Sequence, residues 1–317
     1  MSNHSIVCAG IDTGKHKLDV AITGAAEKLQ VDNTADGHAA LSAWLGRYQV
    51  ERVGIEATGP HDRNVVAHLR RDGFTVIRFQ PAQVRAYAKF HMQRAKNDRI
   101  DAALIADCAA AKKEIHAPPD PRFAPFAEHL TMIDQITEDI ARIKTRRATA
   151  QETAIRQVWC DEIKRLGKQR TDALKALVAA IRQHPDLAQK LDLIASIDSV
   201  GLPSAVAFLV RMPEIGTVSR ERAAALAGLA PYDDDSAQHI GQRHIEGGRE
   251  RLRKAIYNAA FTGAFHWNLQ LMALYKRLIA KGKHHKVAII ACARKLIAFA
   301  NAVVQRGTPW IKQTQHT

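Results

Sequence analysis

Four acids stand where chemistry on a phosphate would want them. Asp12 lies in GIDTGKHKLDVAI, Glu56 in GIEATG, and Asp98 and Asp101 in KNDRIDA. The first two end short apolar runs, where a carboxylate is costly to bury unless something neutralises it. A hard divalent cation does so with oxygen ligands. Asp98 and Asp101 are three apart, so on a helix they share a face. Two Mg2+ ions held by such a set activate a nucleophile and stabilise the leaving oxygen in phosphoryl transfer. The plainer readings are turn formers at strand ends and, for Asp98, a helix cap. The weight lies in all four falling at suitable elements together. Asp19 and Asp107, nearby acids, are expected to face solvent.

The second chemistry-bearing stretch is APYDDDSAQHIGQRHIEGGRERLRK, which contains Ser236. A serine is a poor nucleophile until a base or metal activates it. Three aspartates precede it and would repel a polyanion, so this loop is no simple basic clamp. Arg243, Arg249, Arg251 and Arg253 follow, and guanidinium groups can hold a scissile phosphate and its developing charge. On residue type alone Ser236 is either a nucleophile or an ordinary loop serine. Further on, GKHHKVAIIACARK carries Lys283, Lys286 and Arg294. The last two are about two helical turns apart and either line one groove or form a solvated basic face. His284 and His285 are adjacent, so on a helix they cannot both face one ion.

The elements that must position these groups follow from periodicity. SIVCAGID, KLDVAIT and KLQVD read as three short strands joined by tight turns. DGHAALSAWLGRY has helical spacing with an Asp cap, ERVGIEATG is a strand, HDRNVVAHLRRDG a helix closed by Gly73, and FTVIRF a further strand. Residues 81–89 and 98–113 are expected to be helical. Three strands, helix, strand, helix, strand and then helices is the ribonuclease H-like order. Four prolines in HAPPDPRFAPF mark a boundary. Residues 127–183 read as long helices with apolar residues at helical spacing, either an antiparallel coiled coil for dimerisation or a linker packed on its own chain. LIASIDSVGLPSAVAFLVRM has the layout of a helix-hairpin-helix, whose backbone N–H groups can hold a phosphate. Amphipathic helices complete the chain. The expected architecture is α/β plus α: a ribonuclease H-like domain over 1–117, a helical arm over 118–190 and an all-α domain over 191–317.

Composition agrees. The net charge is +14 and the pI about 9.8, which suits a polyanionic partner. Ten of those fourteen net charges fall between residues 243 and 295, a focusing that general solubility does not require. The four cysteines are far apart, with no CxxC pair, so a zinc knuckle or disulfide framework is not expected. No apolar run of membrane-spanning length stands out and the start lacks a secretory layout. The expected location is cytoplasmic, with nucleoid association when DNA is bound.

GIDTGKHKLDVAI, GIEATGP, QPAQVRAYAK, KNDRIDAALIA, LAGLAPYDDDS and IEGGRERLRKAIYNAA together resemble the DEDD-type insertion-sequence transposases, which include the Piv-type DNA invertases. The resemblance spans nearly the whole chain. It implies a RuvC-like N-terminal domain whose four acids, here Asp12, Glu56, Asp98 and Asp101, bind Mg2+. It implies a C-terminal serine nucleophile, which maps to Ser236, and a serine–phosphate intermediate in strand exchange. It further implies a site composed from two protomers of a homo-oligomer, and a structured guide RNA that pairs with donor and target DNA. Two positions depart from the family pattern. Ala237 stands where Gly usually follows the serine, narrowing backbone freedom there. Asp198-Ser199-Val200-Gly201 stands where the hairpin usually reads Pro-Gly-Val-Gly, and an Asp there weakens a phosphate grip.

Overall fold

The computed structural model describes residues 6–57, 59–92, 98–115, 118–232 and 244–311, the side chains of 98–100 and 232 excepted. The chain divides into two compact units, Met1–Pro118 and Pro119–Thr317.

The first unit is built on a five-stranded sheet of β1 (Cys8–Thr13), β2 (Lys17–Ile22), β3 (Lys28–Asp32), β4 (Arg52–Glu56) and β5 (Thr75–Phe79). Its order is β3-β2-β1-β4-β5. The first three strands form an antiparallel meander, while β4 and β5 run parallel to β1. This is the ribonuclease H-like order expected from the sequence. Four helices cover it: α1 (Ala35–Arg47), α2 (Arg63–Arg71), α3 (Pro81–Phe90) and α4 (Asp98–Ala111). Strand periodicity decides which side chain meets which helix. Ala9, Ile11, Val53 and Ile55 face one layer, packing with Leu41, Trp44, Leu45 and Leu69 of α1 and α2. Cys8 faces the other layer, with Leu104, Ile105 and Cys108 of α4. The cap of α1 is Thr34 rather than Asp36: Thr34 has the extended backbone a cap needs and its side chain accepts from the Gly37 N–H.

The second unit is helical. The pair α5 (Phe123–Thr149) and α6 (Thr153–Arg182) is joined by a short link. At one end of the pair, Phe126, Leu130 and Ile133 meet Leu177 and Ile181 in the main core. At the other, Ile136, Ile140 and Ile143 meet Leu166, Trp159 and Ile163 in a separate small cluster. Thus α5 and α6 run antiparallel, with apolar positions alternating by three and four. The remaining core is formed by α7 (Pro185–Ala195), α8 (Leu202–Arg211), α9 (Arg220–Leu226), α10 (Glu250–Thr262), α11 (Leu269–Ala280) and α12 (His285–Arg306). A π-helical turn, Gly263–Trp267, separates α10 from α11. Contrary to the sequence expectation, α12 is long and apolar enough to cross a membrane by length and composition. Half of that apolar window is buried, with Ile289, Cys292, Leu296, Ile297 and Val303 in the helical core. Hydropathy alone does not separate a central core helix from a span.

Candidate active site

The register of the sheet sets three carboxylates in a row. Asp12 on β1 lies directly opposite Asp19 on β2. On the other side, Ile11 pairs with Ile55 of the parallel strand β4, and the next residues are Asp12 and Glu56. Partners opposed across neighbouring strands present side chains to one face. That face is the one α4 covers, because Cys8 and Gly10 precede Asp12 on it and Gly54 precedes Glu56.

The closeness of α4 has a specific cause. Gly10 and Gly54 are register partners on adjacent strands. A Cβ at Gly10 would stand 2.0 Å from the Ala102 carbonyl oxygen and 2.2 Å from the Ala106 nitrogen; one at Gly54 would stand 2.8 Å from the Ile105 carbonyl oxygen. The helix backbone therefore rests in a notch that only two glycines leave open. Along β1, Cys8 packs with residues 104–109 of α4 and Gly10 meets 102–106. The helix runs back along the strand, and its first turn, which starts at Asp98 and contains Asp101, heads toward the Asp12 end.

Asp19 corrects the sequence reading. It is only 5% exposed. It accepts from Gln30 Nε2 at 2.7 Å and pairs with Lys17 Nζ at 3.2 Å. Beside it is a cavity of about 270 Å3 whose wall includes Gln30, Leu29 and Ala102 of α4. Alternation within KLDVAI assigns Asp19 to a face but does not say that a helix covers that face. Asp107 is exposed, as expected. Cys108 is inert as a nucleophile: burial, reinforced by the charges of Asp107 and Glu56, pushes its thiol up to about 11.

As a donor set, the acids offer carboxylate oxygen only, which fits a hard divalent cation. Asp12, Glu56 and Asp101 are each half-buried. Among the described residues no group of three or more His, Cys, Asp and Glu side chains is close enough to hold one ion. The Asp98 side chain lies outside the described residues.

Ser236, Ala237 and Arg243 also lie outside the described residues. The segment that carries them, 233–243, is flanked by two short strands, β6 (Pro231–Tyr232) and β7 (His244–Ile245), which pair antiparallel. Two of the arginines read as nucleic-acid ligands also hold protein. Arg249 gives two hydrogen bonds to the Glu214 carboxylate, at 2.7 and 2.6 Å, and one to the Arg211 carbonyl. Arg253 donates to the carbonyls of Gly247 at 2.6 Å and Gly228 at 3.4 Å. They fasten the start of α10 to the end of α8 and to the residues just after α9. Arg251 is more open, 4.0 Å from Asp134. Lys283, Lys286 and Arg294 are exposed.

Between α7 and α8 the chain makes the expected tight turn. Ser199 adopts φ +81°, a left-handed conformation that favours glycine. The Asp198 carboxylate accepts from Trp310 Nε1 at 3.1 Å, and its carbonyl accepts from Asn268 Nδ2 at 3.2 Å. The Trp310 N–H donates to Ser196 Oγ at 2.8 Å. The acid that departs from the family pattern is thus engaged by a tryptophan that closes over the turn.

The strand order and the helix laid over the carboxylate row define a ribonuclease H-like domain followed by a helical unit. Residues 9–158 match a family model described as a transposase, of the DEDD IS110 type, and residues 191–276 match one described as a transposase of the IS116/IS110/IS902 family. The chain belongs to this family of insertion-sequence transposases, which act in DNA recombination. It is similar to the pilin gene-inverting proteins of Moraxella bovis and Moraxella lacunata, each 25% identical over 96% of this chain and 97% of the relative. An IS110 protein of Streptomyces coelicolor is 31% identical over 43% of this chain and 33% of its own length. Among solved structures, Thermus thermophilus RuvC with a Holliday junction substrate aligns at a TM-score of 0.26 and 18% identity, over 32% of this chain and 90% of that one. At that score the likeness carries no weight of its own.

Proposed function

We propose that this chain is a DNA recombinase that cuts and exchanges strands through a Ser236–phosphate intermediate, in a Mg2+-dependent reaction guided by an element-encoded structured RNA. The observation that carries the reading is the shared face of Asp12 and Glu56 beneath α4, whose first turn holds Asp98 and Asp101. Those four acids would hold Mg2+, which when bound supplies charge neutralisation at the phosphate and lowers the pKa of an attacking hydroxyl. Ser236 Oγ attacks phosphorus; the bond from phosphorus to the leaving strand oxygen breaks, and that oxygen takes a proton as the serine gives one up. A strand hydroxyl then attacks the serine phosphodiester, reforming a DNA phosphodiester and returning the serine hydroxyl. Ester bonds are exchanged throughout, so no energy source is consumed.

Two further observations support parts of this reading. The two strands that flank Ser236 in the sequence, β6 and β7, pair with each other antiparallel. The gene-inverting relatives, similar over nearly their whole length, are named for a DNA rearrangement. RNA guidance and a site shared between protomers rest on the family resemblance, and DNA contact by Arg251, Lys283, Lys286 and Arg294 rests on their exposure and charge.

The test is a strand-exchange assay with the element's own RNA and both DNAs. Asp98→Ala and Ser236→Ala should each abolish exchange, and a protein–DNA adduct should survive denaturation in the wild type alone. Full exchange by Ser236→Ala refutes the serine step. Cleavage with no adduct makes water the nucleophile and the protein a hydrolytic junction nuclease. Salt-sensitive binding with no cleavage leaves only a nucleic-acid binder.

A further inference from the structure

The helical unit carries an aromatic cluster at its surface, joined to the main core only through the partly buried Tyr275. Phe261 and Phe265 are 44% and 37% exposed, with ring centroids 5.0 Å apart. Phe265 lies 5.0 Å from Tyr275 and 6.1 Å from His285. Tyr275 Oη and His285 Nδ1 are joined by a hydrogen bond of 2.9 Å. Trp267, 65% exposed, leaves the same π-helical turn. A soluble helical protein gains nothing by leaving several rings in water, and clusters of this kind mark interaction sites.

Three features indicate what covers them. The first is charge. Lys281, Lys283 and Lys286 flank His285 and are all exposed, and no Asp or Glu follows Glu250 in the sequence. The second is the π-helical turn, a rare backbone form that recurs at functional sites. It is held in place by Asn268, only 1% exposed, which donates to the Asp198 carbonyl and caps α11. The third is the neighbour. Gly263 of that turn abuts Ser199, so the cluster adjoins the α7–α8 turn and the start of α8, which has no side-chain cap. Flat rings beside lysines match unpaired nucleotides, whose bases stack while their phosphates meet cations. A duplex hides its base faces and offers such rings nothing.

We propose that Phe261, Phe265 and Trp267, with the Tyr275–His285 pair, form a stacking platform for unpaired bases of single-stranded nucleic acid. The proposal rests on this unit handling nucleic acid, and it adds where unpaired strand is held. Its chemistry is common to single-stranded DNA and RNA.

The test is fluorescence anisotropy with the full chain in EDTA, so that strand chemistry plays no part. The probes are oligothymidylate, oligouridylate, an abasic strand of equal length and a blunt duplex. The wild type should bind the strands with bases at least about tenfold more tightly than the abasic strand, since stacking is worth ~1–3 kcal/mol per base. The Phe261→Ala/Phe265→Ala double variant should lose that gap while keeping its abasic affinity and wild-type circular dichroism. Phe265→Trp should restore it. Preference for oligouridylate or for oligothymidylate tells RNA from DNA, and either supports a platform. Equal wild-type affinity for strands with and without bases overturns it, as does a gap that survives in the double variant. Polyglutamate competing as well as oligothymidylate overturns it in favour of an acidic protein partner. Full strand exchange by Ser236→Ala, which refutes the serine step, leaves this result untouched, so the two ideas fail separately.

Discussion

Ser199→Gly should make the helical unit more stable, an unusual outcome for removing a half-buried side chain. Ser199 sits at φ +81°, where a Cβ costs about 1–2 kcal/mol. Its Oγ is buried without a hydrogen-bond partner, a further cost of about 1 kcal/mol or more. Against this, glycine adds unfolded-state freedom of about 0.5–1 kcal/mol, and a small contact with Gly263 is lost. The net gain is about 1–2 kcal/mol, or roughly 2–8 °C for a unit of this size. Denaturant unfolding followed by tryptophan emission reads it, because Trp159, Trp267 and Trp310, three of the four tryptophans, lie in this unit. A second substitution sharpens the test. A Cβ at Gly263 would stand 2.5 Å from Ser199 Oγ and 2.9 Å from Ser199 Cβ, so Gly263→Ala should destabilise the wild type strongly. In the Ser199→Gly background that clash is gone and only the contact with Leu271, at 3.0 Å, remains. The two changes should couple by about 1 kcal/mol or more. An unchanged or lower midpoint for Ser199→Gly, or an equal Gly263→Ala penalty in both backgrounds, refutes the reasoning.

Gly10→Ala should lift α4 from the sheet, costing the first unit about 3 kcal/mol or more because the clash is with backbone, and metal-dependent cleavage should fall with it; calorimetry and a cleavage assay check the pair. Arg249→Ala should lower stability near neutrality by about 1 kcal/mol, given the partial exposure of the ion pair. The Glu214 carboxyl is pushed up by burial but pulled further down by hydrogen bonds from Arg249 and its own backbone, and ends below its usual value of 4.5. A depressed carboxyl contributes stability that is present above the unfolded value and lost as pH falls through the folded one. Acid unfolding curves should therefore flatten below about pH 4.5 in Arg249→Ala. Trp310→Phe keeps a ring against Phe299 but removes the N–H that Asp198 accepts; the denaturation midpoint should fall by an amount worth about 1 kcal/mol.

Strand order was legible because each strand of the first unit is short, apolar and bounded by turn residues, and because alternation within a strand is a local property. The acids at the strand ends were legible for the same reason. What lies over a face is not local, and so Asp19 was misjudged: its burial depends on α4, some eighty positions later. The protein contacts of Arg249 and Arg253 were equally illegible. A basic stretch advertises its charge, while the partners that consume it, Glu214 and the carbonyls of Gly228 and Gly247, stand outside it or carry no charge. The cap of α1 turned on one residue's backbone angles, and Thr34 and Asp36 are both good capping types. The turn at Ser199 was recognised as a departure in residue type, but its left-handed geometry and the covering Trp310 come from tertiary packing. Neither the π-helical turn nor the aromatic cluster has a periodic signature, since the cluster draws on four separate elements.

The paired glycines of β1 and β4 have an implication for tuning this enzyme. Exchanging Asp for Glu at one acid adds a methylene of reach to a single ligand. Filling either glycine would displace the helix as a whole, moving every acid it bears by the same step. Coarse adjustment thus belongs to two residues with no reactive atoms, and fine adjustment to the acids themselves. Attempts to widen the proposed site would begin at those two positions.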